Sequence, residues 1–202
     1  LTDASQIELH GDVTIRIAPH SVVWPESAHG PVELDPELDA YVESSEKIES
    51  DHPTVLTLAD RLYPADGNLA QFVRNTLEWT SENIRYDPEL ARDISSGRSD
   101  TRSAADTLRK RRGTCSEYAN VFIAVMRARG VPARFVSGYF FQQRMYHAWA
   151  EIYLPGAGWL PVDPQMGSYA VSNSHIKLYH GVDFPAIGVL LADIQIQVER
   201  LR

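Results

Sequence analysis

Thr114 followed three residues later by Glu117 is a capping box, in which a hydroxyl and a carboxylate each satisfy a backbone N–H of a first helical turn. It sits within Arg111-Arg112-Gly113-Thr114-Cys115-Ser116-Glu117-Tyr118-Ala119-Asn120 and puts Cys115, the only cysteine of the chain, at the first helical position. Tyr118, Phe122, Val125 and Met126 then recur at helical spacing on one face, and Gly130 with Pro132 just beyond supplies the stop. Past that point the period changes to two. Residues 134–141 read as a strand, 142–144 as a polar hairpin connection and 147–154 as the antiparallel partner; 155–158 is a turn by composition and 159–162 a third strand. One helix followed by consecutive antiparallel strands predicts an α+β architecture, with helices on one side of the sheet and Cys115 at a helix tip beside a cleft.

A thiol at a helix start meets exposed N–H groups and the positive end of the dipole, which favour a thiolate. The basic cluster Arg109-Lys110-Arg111-Arg112 reads as a solvated helix end whose closeness to Cys115 adds to that effect. A lone cysteine is more often a small buried hydrophobe. What points to chemistry is downstream: His147 opens one strand and Asp163 closes the next. An imidazole can take the thiol proton, and a carboxylate can hold the imidazole in the required tautomer. Alternation places His147, Trp149 and Glu151 on one face, and the hairpin brings His147 and Asp163 to the same end of neighbouring strands.

The blocks Gly113-Thr114-Cys115-Ser116-Glu117-Tyr118-Ala119, Arg127-Ala128-Arg129-Gly130-Val131-Pro132-Ala133-Arg134, His147-Ala148-Trp149-Ala150-Glu151 and Gly158-Trp159-Leu160-Pro161-Val162-Asp163-Pro164 resemble the core of the transglutaminase-like superfamily in its bacterial branch. The resemblance covers roughly residues 50 to 202. It implies a papain-like fold and a Cys-His-Asp triad, with Cys115 as nucleophile, His147 as base and Asp163 as the orienting acid. It also makes Tyr86, the aromatic residue after a helix, a candidate for lining the site or donating to an oxyanion; the other reading is a packed tyrosine with its hydroxyl satisfied nearby. The segment 175–184 is similar to a post-catalytic region in which Gly-Arg-Asp-Tyr is common, with Val182 and Phe184 here in place of the arginine and tyrosine. The implied activity is cysteine-dependent acyl transfer or hydrolysis at peptide or glutamine-type amides, on a protein or peptide substrate. A peptide-binding module that keeps the fold without turnover is the alternative. A calcium-dependent cross-linker of the animal type does not fit, because its additional domains exceed this length.

The remaining chain sets the boundaries. Val13, Ile15 and Ile17 alternate with Thr14 and Arg16 as in a half-buried strand, and Pro25, Pro31 and Pro36 break the next stretch into extended pieces, so residues 1–50 read as an N-terminal β or extended arm with an acidic connection. The acidic stretch 33–51 reads as solvated and irregular, its ligand spacing matching no cation-binding loop. The catalytic domain is expected over 51–202. It opens with a helix from Asp51-His52-Pro53, with Val55, Leu58, Ala59 and Leu62 on its apolar face, and a longer helix begins at Asn68, with Trp79 off its apolar stripe. Residues 91–101 read as a polar surface loop, 103–108 as a short helix and 194–198 as a terminal strand. His175 and His180 are not spaced as metal ligands on one element and read as structural or loop residues, so neither a metal nor a cofactor is expected. A net charge of −8 argues against nucleic acid as the partner, and no apolar run is long enough to span a membrane. A chain opening at Leu1 rather than methionine suggests processing and an extracytoplasmic site, with the cytoplasm left open.

Overall fold

A computed structural model describes residues 23–30, 32, 36–169, 171–172 and 174–184. The alternating segments 13–17 and 194–198, with Pro31 and Glu33, lie outside them. The elements are a short 3-10 turn Asp39–Tyr41, then α1 (Pro53–Leu62), α2 (Leu69–Asn83), β1 (Arg85–Tyr86), α3 (Pro88–Ser95), α4 (Ala104–Lys110), β2 (Arg112–Gly113), α5 (Cys115–Arg127), β3 (Ala133–Phe140), β4 (Met145–Leu154), β5 (Gly158–Val162) and β6 (His175–Gly181).

Helix starts are set by side chains that accept a free first-turn N–H. His52 caps α1 through Nδ1 on the Thr54 N–H at 3.2 Å, Asn68 caps α2 on Gln71 at 3.2 Å, and Ser103 caps α4 on Asp106 at 3.3 Å. Asp87 followed by Pro88 does the same for α3 on Leu90 at 3.2 Å. The supposed loop 91–101 is therefore helical up to Ser95. Only Leu90 of that helix is buried; its apolar face is the short pair Leu90 and Ile94, one turn apart, which the polar residues around it obscure in sequence.

Helix α5 is the centre of the molecule. Sequence periodicity assigns it one apolar face, yet every residue from Ser116 to Arg127 is buried. The reason is that α1, α2 and α4 pack around one side and strands β3 and β4 lie on the other. The four-stranded sheet has the order β5-β4-β3-β6, all pairs antiparallel, and a separate two-stranded parallel pair joins β1 to β2. Register sets Gly138 opposite His147 and Val136 opposite Trp149. At Gly138 the ladder to β6 shifts register, and a Cβ there would overlap the Ile176 carbonyl and stand 2.8 Å from the Trp149 ring. Only glycine lets β6 approach at this point. His175 and His180, read as structural or loop residues, stand on a strand that is outermost among the described residues, and the turn after it packs through Phe184 edge-on against Phe135, ring centroids 5.4 Å apart.

The described part of the acidic stretch, 36–51, holds the short 3-10 turn and no other regular element, but it is not simply solvated. Ile48 is fully buried, Glu49 accepts from the Ala105 N–H at the start of α4 at 2.8 Å, and the Lys47 N–H donates to Asp183 at 2.8 Å. Arg127 ties this stretch to the sheet. Its buried guanidinium donates to the carbonyls of Ala133 (2.9 Å), Glu43 (2.9 Å) and Val182 (2.5 Å). Burial pulls its pKa down to about 10, with the Asp183 charge opposing the fall, so the side chain stays cationic at neutral pH. Arg127→Met keeps the volume and leaves three carbonyls without a donor; we expect it to lose about 3 kcal/mol of stability, read as a lower urea midpoint with an unchanged m-value.

Candidate active site

Each of the three residues singled out in sequence is held by a different local device. Cys115 is the first residue of α5, and Glu117 builds the turn before it. Its Oε2 accepts from the Thr114 N–H (2.5 Å) and hydroxyl (2.7 Å), while Oε1 accepts from the Arg102 N–H (2.8 Å), all at a side chain with no exposure. The capping box expected from sequence is present. His147 stands on β4, with Phe140 and Trp149 beside its ring at centroid distances of 5.7 and 6.3 Å. Asp163 comes immediately after β5. Its backbone exchanges two hydrogen bonds with Ser168, and its Oδ1 accepts from the N–H groups of Gln165 (3.0 Å) and Met166 (3.1 Å).

His147 Nε2 lies 2.7 Å from Asp163 Oδ2, with both side chains almost wholly buried, and the half-buried Cys115 thiol stands near enough to act on the ring. Burial alone would depress the imidazole. The hydrogen bonds and charges of Asp163 and Cys115 outweigh it and push His147 up to about 9. Burial likewise works to raise Asp163, but hydrogen bonds from His147 and His175 hold its carboxyl well below the usual carboxylate range. Both shifts have one cause, the close contact of the two groups, and both favour the charged forms.

Tyr86 stands beside this group, on the strand pair that ties it to Gly113. Its side chain is exposed to solvent on one side. Burial first, and the nearby Cys115 charge second, push its hydroxyl up, which keeps it a proton donor. The basic cluster before Cys115 is spoken for elsewhere. Arg109 and Lys110 pair with Asp106, Arg112 with Asp87 at 3.4 Å, and Arg111 lies over the Trp79 ring at 4.6 Å. Glu151, on the same strand as His147, is held by Arg134 and Lys177, each at 2.7 Å.

His175 is the residue that sequence reasoning missed. Expected to be a structural or loop residue, it brings Nε2 to 3.4 Å from Asp163 Oδ2 with its side chain 4% exposed. The signal that could have found it is the alternation of Ile176 and Leu178 with Lys177 and Tyr179, which marks a strand starting at His175. The ligand atoms of His147, Asp163 and His175 lie within 4.8 Å of one another, near enough to share a metal ion. A tetrahedral ion with ligands at about 2.0 Å would hold them roughly 3.3 Å apart. The 2.7 Å contact is closer than that and has hydrogen-bond geometry, so a proton fits this cluster better than a metal.

A family model described as the transglutaminase-like superfamily matches residues 57–164, more than half of the chain. A protein-glutamine gamma-glutamyltransferase of Pseudomonas aeruginosa is 38% identical in an alignment of length 79 that covers 33% of this chain and 11% of that protein. An uncharacterised Mycobacterium leprae protein is 27% identical over 122 residues, covering 55% of this chain and 40% of its own length. Among solved structures, a candidate cysteine protease from Cytophaga hutchinsonii superposes with a TM-score of 0.63 at 27% identity, over 78% of this chain and 52% of that one. The periplasmic domain of TgpA from Pseudomonas aeruginosa, bound to ethylmercury, gives 0.51 at 28% identity over 66% of this chain and 50% of that one. The chain therefore spans about half or less of each of these relatives. The match over the whole helix-and-hairpin core, together with the mixed α+β fold, makes this chain a member of the transglutaminase-like superfamily.

Proposed function

We propose that the protein is a cysteine-dependent acyl-transfer enzyme that opens peptide or glutamine-type amides through a thioester on Cys115. The observation that carries this reading is the buried His147 ring, hydrogen-bonded through Nε2 to Asp163 and raised in pKa by both Asp163 and the neighbouring Cys115 thiol. For attack, the proton of Cys115 passes to His147, leaving the sulfur as a thiolate. The thiolate attacks the amide carbon, and the carbonyl π pair moves onto oxygen. The first-turn N–H of Cys115 is one donor we assign to that oxyanion, and the Tyr86 hydroxyl is the second. Collapse of the tetrahedral adduct expels the amine, which takes the proton from His147 and leaves the thioester. An amine acceptor then gives a cross-link; water gives cleavage or deamidation according to which amide was opened. His147 removes the acceptor's proton in either case.

Mass spectrometry of a glutamine-containing peptide incubated with the protein, with and without a primary amine, separates the three fates. The expected result is one of amine incorporation, a one-unit gain or chain cleavage, abolished in Cys115→Ala. Iodoacetamide should alkylate Cys115 rapidly well below the pH near 8.5 at which an ordinary thiol ionises. An unaltered peptide together with an ordinary thiol profile would sink the proposal, and equal peptide binding by wild type and Cys115→Ala without turnover would favour a binding module.

A further inference from the structure

Asp163 Oδ2 serves two imidazoles. His147 Nε2 approaches it at 2.7 Å and His175 Nε2 at 3.4 Å, while both bonds to Oδ1 come from backbone N–H groups. A carboxylate accepts and cannot donate, so His175 has to present its proton on Nε2. Its Nδ1 faces the Ser172 hydroxyl at 3.4 Å, which can donate to the bare nitrogen and so selects the same tautomer. The ring is fixed as well as protonated in one sense. It stacks on Phe140 with centroids 4.3 Å apart and meets the Trp149 edge at 5.3 Å. His175 reaches this point from an edge strand paired to β3, an element separate in sequence from those carrying Cys115, His147 and Asp163.

We infer that His175 is a positioning residue that locks the Asp163 carboxylate in the orientation from which Oδ2 meets His147. The inference rests on the proposed role of Cys115 and His147 and adds a fourth side chain behind them, one that touches neither substrate nor sulfur. Its physical content is a division of one oxygen between two donors. With His175 in place the carboxylate cannot rotate about its own bond without losing a donor, and only part of its charge bears on His147. Without the second donor, the carboxylate is looser and bears on His147 alone. Around Oδ2 the titratable groups are His147 and His175, and through His147 the Cys115 thiol.

The test uses alkylation of Cys115 across pH in the intact protein, with no substrate required. His175→Phe keeps the stacking ring and removes the donor; His175→Gln removes the ring and returns an N–H near the position of Nε2. We expect His175→Phe to alkylate roughly tenfold more slowly at neutral pH and its His147-dependent inflection to move to higher pH. His175→Gln should restore both toward wild type. Identical profiles for wild type and His175→Phe would overturn the inference, as would a loss that His175→Gln shares in full. If His175→Phe does not fold, nitrogen-15 NMR of the histidine rings in the unaltered protein decides the matter. A proton on His175 Nε2 is expected, and a bare Nε2 overturns the inference. An ordinary thiol profile in wild type would instead refute the role of Cys115, and the tautomer of His175 could still be read.

Discussion

Asp163→Asn is expected to lose about three to four orders of magnitude in turnover while leaving the fold in place. The carboxylate keeps the proton of a neutral His147 on Nε2, at 2.7 Å, and so keeps Nδ1 bare toward the sulfur. An amide can turn its NH2 to Nε2 instead, which moves the ring proton to Nδ1 and removes the base from Cys115. It also removes the charge that offsets burial. Burial lowers this imidazole and only Cys115 is left to oppose it, so its pKa should fall from about 9.

The same change should be visible in stability. A folded-state pKa raised from 6.5 to about 9 contributes stability that is complete below 6.5 and disappears as pH rises through 9, about 3 kcal/mol in all. The depressed Asp163 reports the same interaction from its acidic side. It contributes above the ordinary carboxylate pKa and is lost as pH falls through the lowered one, so it is not a second sum to add. Urea titrations between pH 6 and 10 should therefore show wild type losing stability across this window and Asp163→Asn losing little. Parallel curves for the two proteins would mean that the pair is not an ion pair.

How much of this was readable in sequence depends on whether a signal is local. The capping box at Thr114 and Glu117, the caps at Asn68 and Ser103 and the hairpin between β3 and β4 are each specified within a few residues, and each is in the structure. Cys115, His147 and Asp163 were legible as a group because each occupies one end of such an element. His175 was not, because its strand pairs with β3 rather than with its neighbour in sequence, β5. Nothing near residue 175 announces that it lands on Asp163. Ile48 was hidden for a related reason: a single apolar residue among acids carries no period, and only the gap between α4 and the loop after β6 explains its burial. Helix α5 was underread differently. Periodicity marks the face that must be buried, and a helix wrapped on all sides also buries Ser116, Glu117 and Asn120, which look like surface residues until their partners are known.

Gly113→Ala should cost this protein stability and rate together. A Cβ at this position would overlap Glu117 Cβ and stand 2.9 Å from its Cγ and 3.3 Å from Oε2. Neither side has room to yield. Gly113 is paired with Tyr86 and accepts from the Asp87 N–H at 2.9 Å, while Glu117 belongs to a helix buried all round and holds three N–H or O–H donors. Overpacking of about 1–3 kcal/mol adds to a damaged cap of about 1 kcal/mol, so a loss of roughly 3 kcal/mol is expected. Cys115 lies between the two clashing residues, and a displacement near 1 Å costs about a hundredfold in rate. Gly130→Ala is the contrast. That glycine has φ +67 with nothing within 4 Å of the added Cβ, so it tests backbone strain alone, about 1 kcal/mol. The steric cause can be isolated with Glu117→Ala, which shortens the side chain that Gly113→Ala strikes. Alone it strands the Thr114 and Arg102 donors and is costly. Combined with Gly113→Ala it relieves the contact with Cγ, and the cap it removes can be lost only once. The double variant should therefore be more stable than the sum of the two losses by at least about 1 kcal/mol, and strict additivity would place the steric cost in the overlap with Glu117 Cβ, which Glu117→Ala leaves in place.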